Sequence, residues 1–292
     1  MLLLAGLTAM SQVDVVSESY SFSIGARSNR VVESDVDVNI PQTRNVAQNT
    51  FVVIIANEKY NKEQDVPFAM HDGETFKAYC EQTLGIPADN IRFEKNATLN
   101  TMRHEFDWLQ GILTVNKGDV MGIVYYSGHG IPNPEKSANT SYLLPIDGYC
   151  DDPRSGYSLD ELYAKIGGTH ASRVTYFIDA CFSGADRDGL VMDTGRGTRI
   201  KSVAGALKGN SVVFSAAQGD QTAYAYRSKS HGMFTYFLLK KLQESKGKVS
   251  YGELAGYLQE QVEQRSMHEN SKLQSPSTQA ASSLENWKNL KF

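Results

Sequence analysis

The feature that most constrains the fold of this chain is a short apolar run that stops at an acid and a cysteine. Val174 to Ile178 is β-branched and aromatic, which is typical of a buried strand. Asp179-Ala180-Cys181 follows at once. Free cysteine is among the most buried residue types, so Cys181 by itself fits a core position as well as a nucleophile presented at a strand end.

A second apolar run ends in a comparable way. Val120 to Tyr126 is followed by Ser127-Gly128-His129-Gly130. A histidine between two glycines is poor core material, because glycine adds no side chain to bury, but it suits an imidazole held on adaptable backbone. Two such strands in one parallel sheet would end in the crevice where α/β enzymes bind ligands. We therefore predict that His129 and Cys181 form a catalytic pair.

Apolar runs alternate with segments of helical periodicity along most of the chain. This alternation is typical of an α/β fold, here a three-layer αβα sandwich with a mainly parallel central sheet. Strands are predicted at 51–56, 91–93, 120–126, 142–146, 174–178 and 211–215, and helices at 72–84, 98–113, 158–166, 234–242 and 254–262.

The beginning of the chain differs from the rest in composition. Residues 1–11 are interpreted as a signal-peptide remnant, because an apolar stretch is followed by small residues suited to cleavage. This predicts a secreted or periplasmic protein, and the lack of a basic segment before the apolar stretch keeps a cytoplasmic location as the alternative. Residues 12–49 are polar and indicate a propeptide-like leader or, alternatively, a disordered linker. Residues 50–292 are predicted to form one domain.

Composition excludes several classes of partner. The net charge is −4 and no basic stripe is present, so nucleic acid is not an expected partner. No apolar segment approaches the ~20 residues that a membrane-spanning helix needs. Three cysteines do not make a disulfide framework. Cys80 is expected in the core and Cys150 in a polar loop, and a bond between them after export stays open.

The two strand-end motifs together resemble those of the caspase-fold cysteine peptidases, in particular the bacterial and metacaspase-like members. The motifs are Tyr125 to Gly130 and Asp179 to Gly184, and the resemblance runs from about 51 to 242. The histidine precedes the cysteine by about 50 residues, which is the caspase spacing. True caspases carry Gln-Ala-Cys at the second motif, whereas metacaspases and paracaspases carry an aspartate where this chain has Asp179.

The resemblance implies a caspase-like fold and a cysteine endopeptidase that hydrolyses peptides or proteins after Arg or Lys. His129 would take or share the proton of Cys181 and then protonate the leaving amine. Backbone N–H groups of Gly130 and Cys181 would bind the oxyanion, and simple turn geometry is the alternative role for Gly130. Non-enzymatic caspase folds and unrelated thiol hydrolases or transferases are the alternative functions.

The resemblance also implies an acidic S1 pocket. Matched to the family pattern, Asp72, Ser127 and Asp179 would line its floor, with Asp220 a weaker candidate. Clustered carboxylates suit a guanidinium or ammonium group and disfavour an acidic side chain. Helix N-capping is the alternative role for Asp72. The other histidines are expected at surface or satisfied core positions; they are His71, His104, His170, His231 and His268.

Self-processing is predicted in the glycine-rich segment after the nucleophile. This segment has weak secondary-structure signal and can adopt the extended form that a protease cleft needs. A solvated loop that never enters the site is the alternative. The candidate cleavage residues are Arg187, Arg196, Arg199 and Lys201.

No cofactor is expected, with calcium as the alternative. Metacaspases of one type need calcium, and Asp188, Asp160 and Glu161 match family calcium positions. The remaining family acid falls near Ser141, which is not acidic. Because calcium needs six or more oxygen ligands, we predict no metal site.

Overall fold

The computed structural model describes residues 31–116, 119–132, 141–182, 187, 207–218 and 221–292. Several predicted features lie outside these residues: the segment 1–11, the pocket candidate Asp220, the calcium candidate Asp188, and the cleavage candidates Arg196, Arg199 and Lys201. Within the described part, strands and helices follow the predicted alternation.

A six-stranded sheet forms the centre of the molecule. The strands, in chain order, are β1 (Thr50–Ala56), β2 (Ile91–Lys95), β3 (Met121–Ser127), β4 (Gly130–Pro132), β5 (Ser141–Leu143), β6 (Tyr157–Ser158), β7 (Arg173–Asp179), β8 (Ser211–Ser215), β9 (Ala225–Tyr226), β10 (His231–Gly232) and β11 (Ser277–Ala280). The central sheet has the order β11-β8-β7-β3-β1-β2. All of its pairs are parallel except that of β11 with β8. The predicted mainly parallel sheet is therefore confirmed.

Five helices accompany the sheet in the described part of the chain. They are α1 (Ala69–Gln82), α2 (Leu99–Val115), α3 (Leu159–Gly167), α4 (Met233–Ser245) and α5 (Tyr251–Asn270). α1 begins three residues before the predicted start, and α5 is much longer than predicted. Its N-terminus has a capping box, in which Ser250 and Glu253 bond each other's backbone N–H. No helix in this part of the chain is long and apolar enough to cross a membrane.

The helices cover both faces of the sheet. Side chains of β1 alternate in direction, because successive residues of a strand point to opposite faces. Val52 and Ile54 pack with α1, α4 and α5, whereas Val53 and Ile55 pack with α2 and α3. Strands buried on both faces explain the continuous apolar runs of the sequence. The result is the predicted αβα sandwich.

Several strands differ from the sequence-based predictions, which do not include the short strands β4, β6, β9 and β10. The strand predicted at 142–146 is β5, and it belongs to a separate three-stranded sheet with β4 and β6. The edge strand β11 was not predicted, because Ser277–Ala280 is half-buried and carries no apolar run. It pairs through its backbone with β8.

Residues 31–49 pack against the domain. Val36 is fully buried among core residues, and its carbonyl accepts a hydrogen bond from the Tyr79 hydroxyl at 2.9 Å. Asp35 lies 2.7 Å from the ammonium of Lys229 and 2.9 Å from that of Lys240. Removal of this segment as a propeptide stays a prediction.

Candidate active site

Two neighbouring strands of the central sheet bring the predicted catalytic residues to one edge. Ser127 at the end of β3 is the register partner of Asp179 at the end of β7. The N–H of Gly128 donates to the Asp179 carbonyl at 3.2 Å, so the pairing continues past the strand ends. His129 and Cys181 each follow two residues beyond this pair, as matched strand ends require.

Gly130 lies against the backbone that carries the nucleophile candidate. A Cβ atom on Gly130 would come within 2.7 Å of the Cys181 carbonyl oxygen and would overlap the ring of Phe182. Only glycine therefore allows the two chain segments to approach this closely. The close approach places the Gly130 backbone beside Cys181, where the oxyanion role was predicted.

The ring of His129 is held by two neighbours. Its Nε2 lies 2.7 Å from the carbonyl oxygen of Gln64, and its ring packs on Tyr60 with a centroid distance of 4.7 Å. A carbonyl only accepts hydrogen bonds, so Nε2 carries a proton and Nδ1 of the neutral ring is left as a hydrogen-bond acceptor. Sequence reasoning did not identify Gln64 as a partner of His129. A backbone carbonyl has no residue-type signal.

Burial sets the charge state of this histidine. His129 is only 2% exposed. Burial, helped by the charge of Arg187, lowers its pKa to about 4 against the raising effect of the Gln64 bond. The imidazole is therefore neutral at physiological pH and able to accept a proton.

The thiol of Cys181 is covered by the segment that precedes β9. The residue is 3% exposed. Its Sγ accepts a hydrogen bond from the Ala223 N–H at 2.8 Å and lies 3.4 Å from the carbonyl oxygen of the same residue. This segment therefore contacts the thiol through the backbone of one residue.

Three predicted pocket residues meet around one arginine. The guanidinium of Arg187 donates to Asp72 at 3.1 Å and to the Ser127 hydroxyl at 2.9 Å, and its Nη2 lies 3.2 Å from Asp179. It also donates to the Pro67 carbonyl at 3.0 Å. Arg187 is 3% exposed. The structure thus brings Asp72, Ser127 and Asp179 together as expected, with a basic side chain already between them.

Burial and charge act in opposite directions in this pocket. Burial raises the pKa of Asp179, and the nearby Asp72 carboxylate adds to this effect, whereas Arg187 and a bond from Thr235 oppose it. Burial alone would lower the pKa of Arg187, but the two carboxylates raise it overall. The buried pocket therefore pairs one cation with two carboxyl groups.

The backbone conformation at two positions places Asp72 in the pocket. Phe68 has a φ of 69°, an uncommon value for a bulky residue, and it joins Pro67 to the first turn of α1, which carries Asp72. Asp72 therefore lies within the first turn rather than at the N-cap, so the alternative capping role is wrong. Gly232 donates its N–H to both oxygens of Asp72 at 3.1 Å, and a Cβ there would lie 2.9 Å from Arg187.

His231 is a neighbour of the pocket that sequence reasoning did not connect with it. It is fully buried, as a satisfied core histidine, and its Nδ1 lies 2.8 Å from Asp72. Its Nε2 lies 3.0 Å from Asp37. Burial alone would lower the pKa of His231, but its bonds with Asp37 and Asp72 raise it to about 9. A His-Gly pair before a helix gives no pattern that could have revealed these contacts.

The remaining cysteines and the calcium candidates are distributed as follows. Cys80 and Cys150 are both buried thiols with no disulfide between them, so the bond left open above does not form. Burial raises the pKa of each. Asp160 and Glu161 lie in the first turn of α3, and Ser141 begins β5. The expected absence of a calcium requirement stays a prediction.

The fold is an αβα sandwich in which a histidine and a cysteine follow neighbouring strand ends. A family profile of the caspase domain matches residues 49–286, so the chain belongs to the caspase-domain family. Membership places it among cysteine-type peptidases, which are hydrolases that act on proteins. No curated protein matches the sequence.

Solved structures agree on the fold. A protein from Geobacter sulfurreducens is similar with a TM-score of 0.59 and 18% identity, covering 83% of this chain and 97% of its own. Caspase-1 from Spodoptera frugiperda is similar with a TM-score of 0.55 and 15% identity, covering 86% of this chain and 96% of its own. The caspase-like fold is thereby confirmed.

Proposed function

We propose that this protein is a cysteine endopeptidase that cleaves after arginine or lysine, with Cys181 and His129 as its catalytic dyad. The observation that carries the proposal is the guanidinium of Arg187 between Asp72 and Asp179. A pocket that holds an arginine of its own chain with two carboxylates and a hydroxyl has the chemistry to hold an arginine of a substrate.

The same pocket disfavours acidic side chains. A P1 aspartate would place a third carboxylate beside Asp72 and Asp179 in a water-excluded site. Like charges at such distances cost several kcal/mol, because burial removes the screening by water. Lysine fits less well than arginine, since it is a point charge and cannot make the forked contacts seen here.

The chemistry follows from the tautomer of His129. With Nε2–H bonded to Gln64, Nδ1 accepts the thiol proton while Sγ attacks the scissile carbonyl carbon. The oxyanion is held by the N–H groups of Gly130 and Cys181. The imidazolium then gives the proton to the leaving amine, which releases the first product and leaves a thioester. Water attacks the thioester, again with His129 as the base, and restores the thiol.

In the observed conformation the proposed substrate positions are filled by the chain itself. Arg187 fills the acidic pocket, and Ala223 covers the thiol. The Arg187 carbonyl accepts a hydrogen bond from the Ala225 N–H at 3.4 Å, so backbone pairing accompanies the side chain. We extend the proposal to self-processing in this interval, where Arg187 is the described candidate and Arg196, Arg199 and Lys201 follow it in sequence.

A positional library of fluorogenic peptides tests the proposed activity. We expect hydrolysis with Arg above Lys at P1, none with Asp, and none in the Cys181→Ala and His129→Ala variants. Circular dichroism of each variant checks that the fold is intact. Activity of a folded Cys181→Ala protein, or a preference for P1 Asp, contradicts the proposal. Intact-mass analysis tests self-processing, which requires a cut in the wild type that is absent from Cys181→Ala.

A second function is favoured by the covered thiol and the filled pocket. A caspase fold that never opens would serve as an interaction module rather than as an enzyme. A peptide acyloxymethyl ketone with Arg at P1 separates the two. Labelling at Cys181 supports the peptidase, whereas a thiol that stays unlabelled in the native protein and reacts only after unfolding supports the module.

A further inference from the structure

A second cluster of chemically active side chains lies behind the acidic pocket. Asp37 comes from the segment before β1, His71 from the first turn of α1, and His231 from β10. Each residue offers one atom that could bind a metal, and these three atoms all lie within 4.8 Å of one another. The two histidine rings stack with centroids 4.5 Å apart.

One carboxylate oxygen of Asp37 has three polar neighbours, and one of them is left without a hydrogen bond. Oδ1 of Asp37 lies 3.0 Å from Nε2 of His231, and it accepts a hydrogen bond from Thr75 at 3.2 Å. Nε2 of His71 lies 3.1 Å from the same oxygen but is not aligned to donate to it, and this buried nitrogen has no hydrogen-bond partner. A buried nitrogen left in this way costs free energy unless another partner satisfies it.

We propose that Asp37, His71 and His231 form a zinc site. Two imidazole nitrogens and one carboxylate oxygen are a donor set that zinc commonly takes, with a fourth position left for water. Ligands around tetrahedral zinc are about 3.3 Å apart, because each lies about 2.0–2.2 Å from the metal. The two nitrogen-to-oxygen distances of 3.1 and 3.0 Å are close to that spacing.

Neighbouring residues already hold two of the three proposed ligands in position through hydrogen bonds. Nδ1 of His231 lies 2.8 Å from the Asp72 carboxylate, an arrangement that fixes the ring and leaves Nε2 for a metal. The second oxygen of Asp37 accepts a hydrogen bond from the Ser34 N–H at 2.7 Å. His71 retains 17% exposure of its side chain, which gives an entry path from solvent.

Zinc in this site would connect the leader to the domain. Asp37 is the only one of the three ligands that precedes β1, so the metal would clamp the segment 31–49 onto α1 and β10. Binding replaces the Nε2 proton of His231 with the metal, and one proton leaves to solvent. Asp72 serves both this cluster and the acidic pocket, so the clamp would also hold one wall of that pocket.

Metal titration of the full chain tests the site. The Cys181→Ala protein is stripped with a chelator and titrated with zinc chloride by calorimetry, so that neither the thiol nor peptidase activity contributes. We expect one equivalent to bind with release of a proton. His71→Ala and Asp37→Asn should weaken binding by more than about 100-fold, which exceeds the usual loss for an outer-shell change. His268→Ala, an exposed histidine beside Glu269, is the matched control and should bind like the parent.

Cobalt gives a second, independent readout. In the same protein Co²⁺ should show the intense visible bands of a four-coordinate nitrogen and oxygen site, without a sulfur-to-metal band. Zinc should raise the midpoint of thermal unfolding in the parent and slow proteolysis of the segment 31–49, and do neither in the folded His71→Ala variant. No binding, equal binding by His71→Ala, or a sulfur-to-cobalt band overturns the proposal and leaves a protonated His231 as the link between Asp37 and Asp72.

Discussion

Arg187 and Asp179 form an ion pair in the interior: Nη2 lies 3.2 Å from Oδ1, and the two side chains are 2% and 0% exposed. A substrate arginine that enters this pocket must replace Arg187 on the same carboxylates. A substitution of a pocket acid therefore weakens the binding of Arg187 and of the substrate arginine together. The easier displacement of Arg187 partly cancels the loss of substrate binding. The predictions on specificity are designed around this competition.

Removal of the internal arginine should activate the enzyme towards small substrates. In Arg187→Ala the pocket no longer has an internal competitor, so we expect kcat/KM for an Arg-P1 peptide to rise by about 10-fold or more. The free energy of unfolding should fall by about 3–5 kcal/mol, because two buried carboxylates lose their partner. Agmatine, a soluble guanidinium, should raise the unfolding midpoint of this variant but not of the wild type. A loss of activity in folded Arg187→Ala would instead assign Arg187 a permanent role in the pocket.

The acids should matter most once Arg187 is gone. In the Arg187→Ala background, Asp179→Asn should lower kcat/KM for an Arg-P1 peptide by at least about 30-fold, which corresponds to the loss of one partner of a buried charge pair. With Arg187 present, the same substitution should have a smaller effect. Kinetics of the four proteins form a double-mutant cycle. Equal effects in both backgrounds would contradict the competition.

Stability should depend on pH through His129. Its pKa is lowered to about 4 in the folded protein, against 6.5 for an ordinary histidine. Between these values the unfolded chain binds a proton that the native ring does not, so native stability falls as pH falls from 6.5 to 4. The loss from this residue totals about 3 kcal/mol. Urea unfolding at a series of pH values should show a shallower decline for His129→Gln, and parallel curves for the two proteins would refute the assignment.

Gly130 should tolerate no side chain. In Gly130→Ala the new methyl group meets Phe182 and the carbonyl of Cys181, so the strand ends must separate. We expect a loss of about 1–3 kcal/mol in the free energy of unfolding and a strong decrease in kcat. Gly111→Ala is the matched control. A Cβ at Gly111 has nothing within 4 Å, and in a helix alanine should stabilise by about 0.5–1 kcal/mol. Similar behaviour of both variants would exclude the steric explanation.

The sequence predicted the sheet and the strand-end pair because both follow from simple regularities. Apolar runs identify buried strands, and parallel strands that end in His129 and Cys181 must end at the same edge. The partners of these residues have no such pattern. Gln64 contributes a backbone carbonyl, whose position depends on loop geometry alone. Arg187 is a single basic residue in a glycine-rich segment, and its burial depends on long-range charge pairing that no local signal records.

The predicted helix and strand bounds are wrong where tertiary contacts override the local sequence preference. α1 begins at Ala69, ahead of Asp72, and its N-cap Phe68 has a left-handed conformation that apolar periodicity does not predict. β11 is polar and half-buried, so only its backbone pairing with β8 makes it a strand. His231 was expected at a surface or satisfied core position, but its partners could not be named, because the two acids that hold it lie 159 and 194 positions earlier in the chain.

The antiparallel strand β11 has a consequence for solubility. Ser211–Ser215 is buried along its whole length and apolar at its three central residues, and the backbone edge it would otherwise present is paired by Ser277–Ala280. A long apolar edge invites another chain to add a strand, whereas a short polar one discourages it. The segment that contains β11 thus protects the molecule against aggregation. A chain shortened before Ser277 should self-associate, even though it keeps all of the predicted catalytic residues.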